Sequence, residues 1–173
     1  MIVLSLISWG LTVSDKSSEF YFDSEKNIQL WRFVSAHLVH RDTHHLTLNL
    51  LALWILVLSS RMNIKQLMIA TLSLVCAFNV FLILCIDGTY AGLSSVIYGL
   101  LGIHVIHMWP LNRHASLSVT VIVLIYSFLQ LSRDYSHYEI RPLTELHFLG
   151  FCLGVYLAHL MRLTLTPRPY PST

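Results

Sequence analysis

Two adjacent serines, Ser94 and Ser95, sit in the otherwise oily stretch YAGLSSVIYGLLG. A serine hydroxyl becomes a useful nucleophile only when a neighbouring base takes its proton, and histidine is the commonest base. His147 opens a second apolar stretch, HFLGFCLG, and His44, His45 and Asn49 open a third. His45 and Asn49 are four residues apart and so share one helix face, and Ser94 and Tyr98 have the same spacing. Each residue has a plain structural reading taken alone. Ser94 packs or back-bonds, Asn49 bonds a neighbouring helix, His45 caps its own helix and Tyr98 fills core. Polar groups on three segments at one depth of an apolar protein are costly without partners, and their convergence points to a site.

The elements that must position these groups are membrane helices. Of 173 residues, 55% are hydrophobic and 12% charged, against roughly 25% charged in soluble domains. The mean hydropathy is +0.63. Apolar runs fill most of the length, so the sequence predicts an all-α membrane protein forming a single domain over residues 1–173, with the lipid bilayer as its surround. The net charge of +2 gives no reason to expect nucleic acid. Cys76, Cys85 and Cys152 all fall in apolar runs without CxxC spacing and read as packing residues, with no compartment implied.

Six helices are expected, at about 1–13, 44–60, 64–86, 91–109, 115–131 and 144–165, with a long outer loop over 14–43. The first run is shorter than the ~17 residues of a spanning helix, and its completeness is left open. The long loop mixes charge with Phe20, Tyr21, Phe22, Trp31 and Phe33, as interfacial segments do. Its tail, NIQLWRFVSAHL, is apolar enough to dip into the headgroups. Arg61, Lys65, Arg113, Arg162 and Arg168 cluster at one set of ends, while all nine acidic residues lie on the other, including Asp87 and the stretch Arg133 to Glu145. The positive-inside rule then puts both termini in the cytoplasm and the polar residues in the outer leaflet.

Gly92, Ser95, Gly99 and Gly102 recur at three, four and three residues, a smooth stripe along the fourth helix. Gly150 and Gly154 form a GxxxG on the sixth helix, starting three residues after His147. Such faces pack backbone to backbone, and their meeting would bring Ser94 near His147. Gly92 also eases the chain into the start of its helix, leaving amide donors free near Ser94.

In order and spacing, WRFVSAHLVHRDTHHLTLN, GLSSVIYGLLG and HFLGFCLG resemble the signature regions of the rhomboid intramembrane serine proteases, from Trp31 to about Ala158. The resemblance implies a six-helix transmembrane rhomboid-like bundle. GLS places the family's nucleophile at Ser94, HxxGxxxG its base at His147, and HxxxN its oxyanion donors at His45 and Asn49, beside the Ser94 amide. Tyr98 stands where the family packs a tyrosine on the catalytic histidine, and Trp31 and Arg32 match the WR of its first loop. Ser95 departs from the pattern, which usually has glycine after the nucleophile.

The short chain and the phrase WRFVSAHLVH look most like rhombosortases, bacterial rhomboids thought to process proteins with a C-terminal Gly-Gly sorting anchor. Rhombosortases often carry histidine where this chain has Tyr98. The resemblance implies a membrane-anchored protein substrate, no cofactor, and a bacterial inner-membrane location with the active site opening to the periplasm.

Two rival readings use other features. His104, His107 and His159 lie in or near helices, and paired helical histidines bind haem or a metal, but no helix carries two at clear ligand spacing and HExxH is absent. A non-catalytic rhomboid-like binder is the other, and the presence of both Ser94 and His147 argues against it. His37, His40 and His44 read as solvated or interfacial residues of the outer loop.

Overall fold

A computed structural model describes residues 2–25, 29–60, 62–85, 88–134 and 143–164. Seven α-helices occur among these residues: α1 (Ile2–Val13), α2 (Arg32–Leu38), α3 (Thr43–Ser59), α4 (Ile64–Cys85), α5 (Ser94–Met108), α6 (Arg113–Asp134) and α7 (Leu143–Thr164). Six follow the expected runs to within three residues. Of the expected limits, Met1, Ile86 and Leu165 lie outside the described residues, as do Arg61, Asp87 and Arg168 of the charge pattern.

The difference lies in the long loop, which is not a plain interfacial strap. It folds into a 3-10 turn at Ser17–Phe20, a two-residue strand β1 (Phe22–Asp23) and the additional helix α2. β1 pairs antiparallel with β2 (Thr89–Tyr90), Phe22 opposite Tyr90, so the loop is tied to the segment that leads into α5. Helix α2 turns Ser35, Ala36 and His37 into the protein.

α4 is long and apolar enough to cross a membrane; the other long helices have shorter apolar stretches. Ala70, Leu74, Phe78 and Leu82 of α4 are buried at four-residue intervals, while Leu72, Val80 and Leu84 are exposed. An exterior of large apolar side chains, including Leu6, Leu58 and Ile122, suits lipid and would be costly in water. Cys76, Cys85 and Cys152 are exposed as well, so they belong to this outer surface rather than to helix packing.

α5 is the central element. Nine of its fifteen residues are buried, on every side, which identifies it as the helix the others surround. At 1.5 Å per residue it spans about 22 Å, less than the ~30 Å hydrocarbon core. A helix this short leaves backbone at its ends within the hydrocarbon thickness, where irregular backbone must be covered by protein. Tyr90, Ala91, Gly92 and Leu93 are indeed all buried, beneath α2 and β1. The expected helix start at residue 91 is corrected to Ser94, because Gly92 has φ +128°, which a right-handed helix does not contain.

Candidate active site

The main interface of α5 is with α7, and its sequence cause is size. A methyl group on Gly154 would lie 1.9 Å from the Gly99 carbonyl oxygen, one on Gly150 2.4 Å from that of Ser95, and one on Gly102 2.3 Å from that of Phe151. None of these places can hold even an alanine without the helices moving apart. The seam consists of Ser95, Gly99 and Gly102 against Gly150 and Gly154. Gly92, expected on the same stripe, is not part of it; it sits in the turn ahead of α5, facing the rings of His40 and His45.

The seam brings His147 over the first turn of α5. Its Nε2 lies 2.8 Å from Ser94 Oγ, within hydrogen-bonding distance. Tyr98, one turn along from Ser94, stacks on the imidazole at 4.6 Å between centroids and 13° between planes. Ser94 is buried and His147 half-buried. Ser95 is directed elsewhere, with its Oγ 2.6 Å from the Tyr90 hydroxyl, so the two serines are separated by their partners.

α3 supplies the facing wall. Asp42 caps it, accepting the His45 amide at 2.7 Å, and that bond holds the exposed Asp42 carboxyl below its usual range. The His45 ring lies against Gly92, within 3.6 Å of where a β-carbon there would stand, and is therefore beside the turn that leads to Ser94. Asn49, one helix turn further, is buried, and its Nδ2 has no hydrogen-bond partner. A buried amide with nothing to donate to is costly, and it can serve an incoming oxygen. The first-turn amides of α5 have no acceptor within the helix, and Leu93 offers no side-chain cap.

Residues beyond those expected at the site hold this turn in place. Gly92 donates its amide to the Ala36 carbonyl of α2 at 2.8 Å, and Leu93 donates its own to His40 Nε2 at 3.4 Å. The backbone around His40 is tied to α1, through Thr12 Oγ1 accepting the His40 amide at 3.1 Å and Ser8 donating to the Leu38 carbonyl. Asn79 of α4 meets His37 Nε2 at 3.1 Å and donates to the Phe33 carbonyl.

The solvated reading of His37 and His40 is thus corrected. Both are buried, and only His44 is exposed. Burial lowers the pKa of each to about 4, so both rings are neutral near pH 7; the His45 ring adds to the effect at His40, and the Asn79 side chain opposes it at His37. The only sequence signal was their place in a segment whose mixed composition reads as interfacial.

Among the described residues no three histidine, cysteine, aspartate or glutamate side chains are grouped to hold a metal ion. His104 lies on α5 and His159 on α7, both away from the first turn that carries Ser94. A family model described as the rhomboid domain matches residues 27–164, most of the chain. No curated protein matches the chain.

Proposed function

The chain belongs to the rhomboid family, integral membrane proteins that act as intramembrane serine proteases, and we propose that it cuts membrane-anchored proteins with a Ser94–His147 dyad. The 2.8 Å approach of the Ser94 hydroxyl to His147 Nε2 carries this reading. His147 takes the hydroxyl proton as Ser94 attacks a peptide carbonyl, then returns it to the departing amine. Water releases the acyl group from Ser94 by the same route in reverse.

The ring stack with Tyr98 orients the imidazole, a task that a carboxylate performs in many serine proteases. The tetrahedral oxygen is received by the Ser94 amide, the unpartnered Asn49 Nδ2 and His45. Removing one such donor commonly slows turnover by roughly 10²–10³-fold. A substrate helix satisfies its own backbone, so it must unwind locally before its carbonyl reaches Ser94.

The narrower reading is a rhombosortase of the bacterial inner membrane acting on C-terminal Gly-Gly anchors, with both termini cytoplasmic and the site open to the periplasm. The phrase WRFVSAHLVH and the charge asymmetry support it. Release of a Gly-Gly-anchored reporter by the wild type, absent for a reporter without that anchor, is its test.

For the dyad, the purified protein is labelled with a fluorophosphonate, which captures an activated serine. Label is expected on the wild type, none on Ser94→Ala or His147→Ala, and slower label on Ser95→Ala. Persisting label on Ser94→Ala overturns the assignment of the nucleophile.

A further inference from the structure

We propose that Tyr90 and Ser95 form a buried clasp that fixes the turn presenting Ser94, which makes both of them positioning residues for the reaction. The inference rests on Ser94 being the nucleophile. The Tyr90 hydroxyl lies 2.7 Å from the Gly92 carbonyl oxygen and 2.6 Å from Ser95 Oγ. A carbonyl only accepts, so Tyr90 donates to Gly92 and Ser95 must donate to the phenol oxygen. The clasp thereby bridges Leu93 and Ser94, joining the residue two before the nucleophile to the residue one after it.

The peptide that links Gly92 to Leu93 is held at both ends as a result. Its carbonyl accepts from Tyr90 and its amide reaches His40 Nε2. Orienting that plane orients the next one, which carries the Ser94 amide. Leu93 stands at the N-cap of α5 without a side chain able to cap, and the clasp supplies the missing constraint from outside the helix. Tyr90 is itself fixed by strand pairing with Phe22 and by the His37 ring, edge-on at 5.4 Å. At 2% and 0% exposure, Tyr90 and Ser95 have no water to replace a lost bond. Where the family usually has glycine, this chain has built a hydroxyl contact.

The full chain in detergent is reacted with a fluorophosphonate, and kinact, KI and Tm are measured for wild type, Tyr90→Phe, Ser95→Gly and the double variant, with Ser94→Ala alongside. Tyr90→Phe is expected to lower kinact on the order of 10-fold, since small misplacements of reacting groups are expensive, with KI close to wild type and Tm lower by the several degrees that a lost buried hydrogen bond costs. Ser95→Gly, which leaves the Tyr90 bond to Gly92 in place, should lower kinact by less, and the double variant should fall no further than Tyr90→Phe, because the two substitutions share the Tyr90–Ser95 contact. Unchanged kinact in both single variants overturns the clasp and leaves the protease reading intact. A fall that vanishes when each variant is labelled equally far below its own Tm, or a double variant slower than Tyr90→Phe, also overturns it by making the pair structural only. Absence of label on the wild type overturns the protease reading instead, and label on Ser94→Ala overturns the assignment of the nucleophile on which the clasp rests. If Tyr90→Phe does not fold, Ser95→Gly carries the same decision.

Discussion

Ser94 is held from two sides by regions of opposite character. On one side the α5–α7 seam is dry and made by absence, its glycines letting backbone meet backbone so that a methyl on Gly154 would fall 1.9 Å from the Gly99 oxygen. On the other, α2 and the turn after it form a polar bracket in which Ala36, His37 and His40 reach α4, α1 and the residues just before Ser94. The seam sets the distance between α5 and α7, hence between Ser94 and His147. The bracket sets the orientation of the backbone from which Ser94 projects. Position by shape and orientation by hydrogen bonds fail differently, and this difference can be tested.

The largest effect is expected in the seam. Gly154→Ala pushes α7 off α5, and overpacking of this kind typically costs about 1–3 kcal/mol or more. A displacement near 1 Å between Ser94 and His147, the proposed dyad, can cost roughly 10²-fold in rate. Fluorophosphonate labelling should therefore drop by about two orders of magnitude and Tm should fall with it. Gly10→Ala is the control, since a β-carbon there meets nothing within 4 Å. Equal labelling rates for the two variants would mean that the seam does not set the distance.

The two regions also differ in how far they were legible. GxxxG spacing is local and has a physical meaning wherever it occurs, so Gly150, Gly154 and the smooth face of α5 could be read from residue type alone. The bracket depends on pairs far apart in the chain, such as His37 with Asn79 and His40 with Thr12. No periodicity announces such pairs, and α2 is too short for its pattern to stand out among aromatic and charged neighbours. The same limit explains Gly92. Spacing put it on the stripe, whereas its positive φ follows from bonds to α2 and Tyr90 that a spacing rule does not contain.

A smaller and selective effect is expected from acid. His37 and His40 have folded pKa values of about 4, below the usual 6.5. A lowered pKa means that the unfolded chain binds the proton more readily, so stability is full above about pH 6.5 and declines as pH falls toward 4. His37 faces Asn79, Tyr90 and the Gly92 backbone, and His40 faces His45 and Asp42; among the described residues only the exposed Asp42 carboxylate offers a compensating charge. Lowering the pH from 7 to 5 should cost on the order of 2 kcal/mol for each ring. Tm measured across that range should fall, and His37→Gln should flatten the slope. The seam has no titrating group, so a slope unchanged by His37→Gln would place the acid sensitivity outside the bracket's His37 branch.

The smallest effect is expected where the two regions leave a group with no hydrogen-bonding duty. Tyr98 lies on α5 and meets His147 through its ring face, 4.6 Å between centroids and nearly parallel. That contact depends on the ring's area and flatness rather than on the hydroxyl, and aromatic pairs of this kind contribute about 0.5–1.5 kcal/mol beyond burial. Tyr98→Phe should therefore keep the labelling rate within about 2-fold of wild type, whereas Tyr98→Leu, which fills space without a planar face, should slow it by roughly 10-fold. A large loss in Tyr98→Phe would show that the hydroxyl takes part, and orientation of the base would then belong to the polar mode of support. Equal rates for phenylalanine and leucine would show that filling the space beside His147 is enough, and that orientation of the imidazole rests on the seam alone.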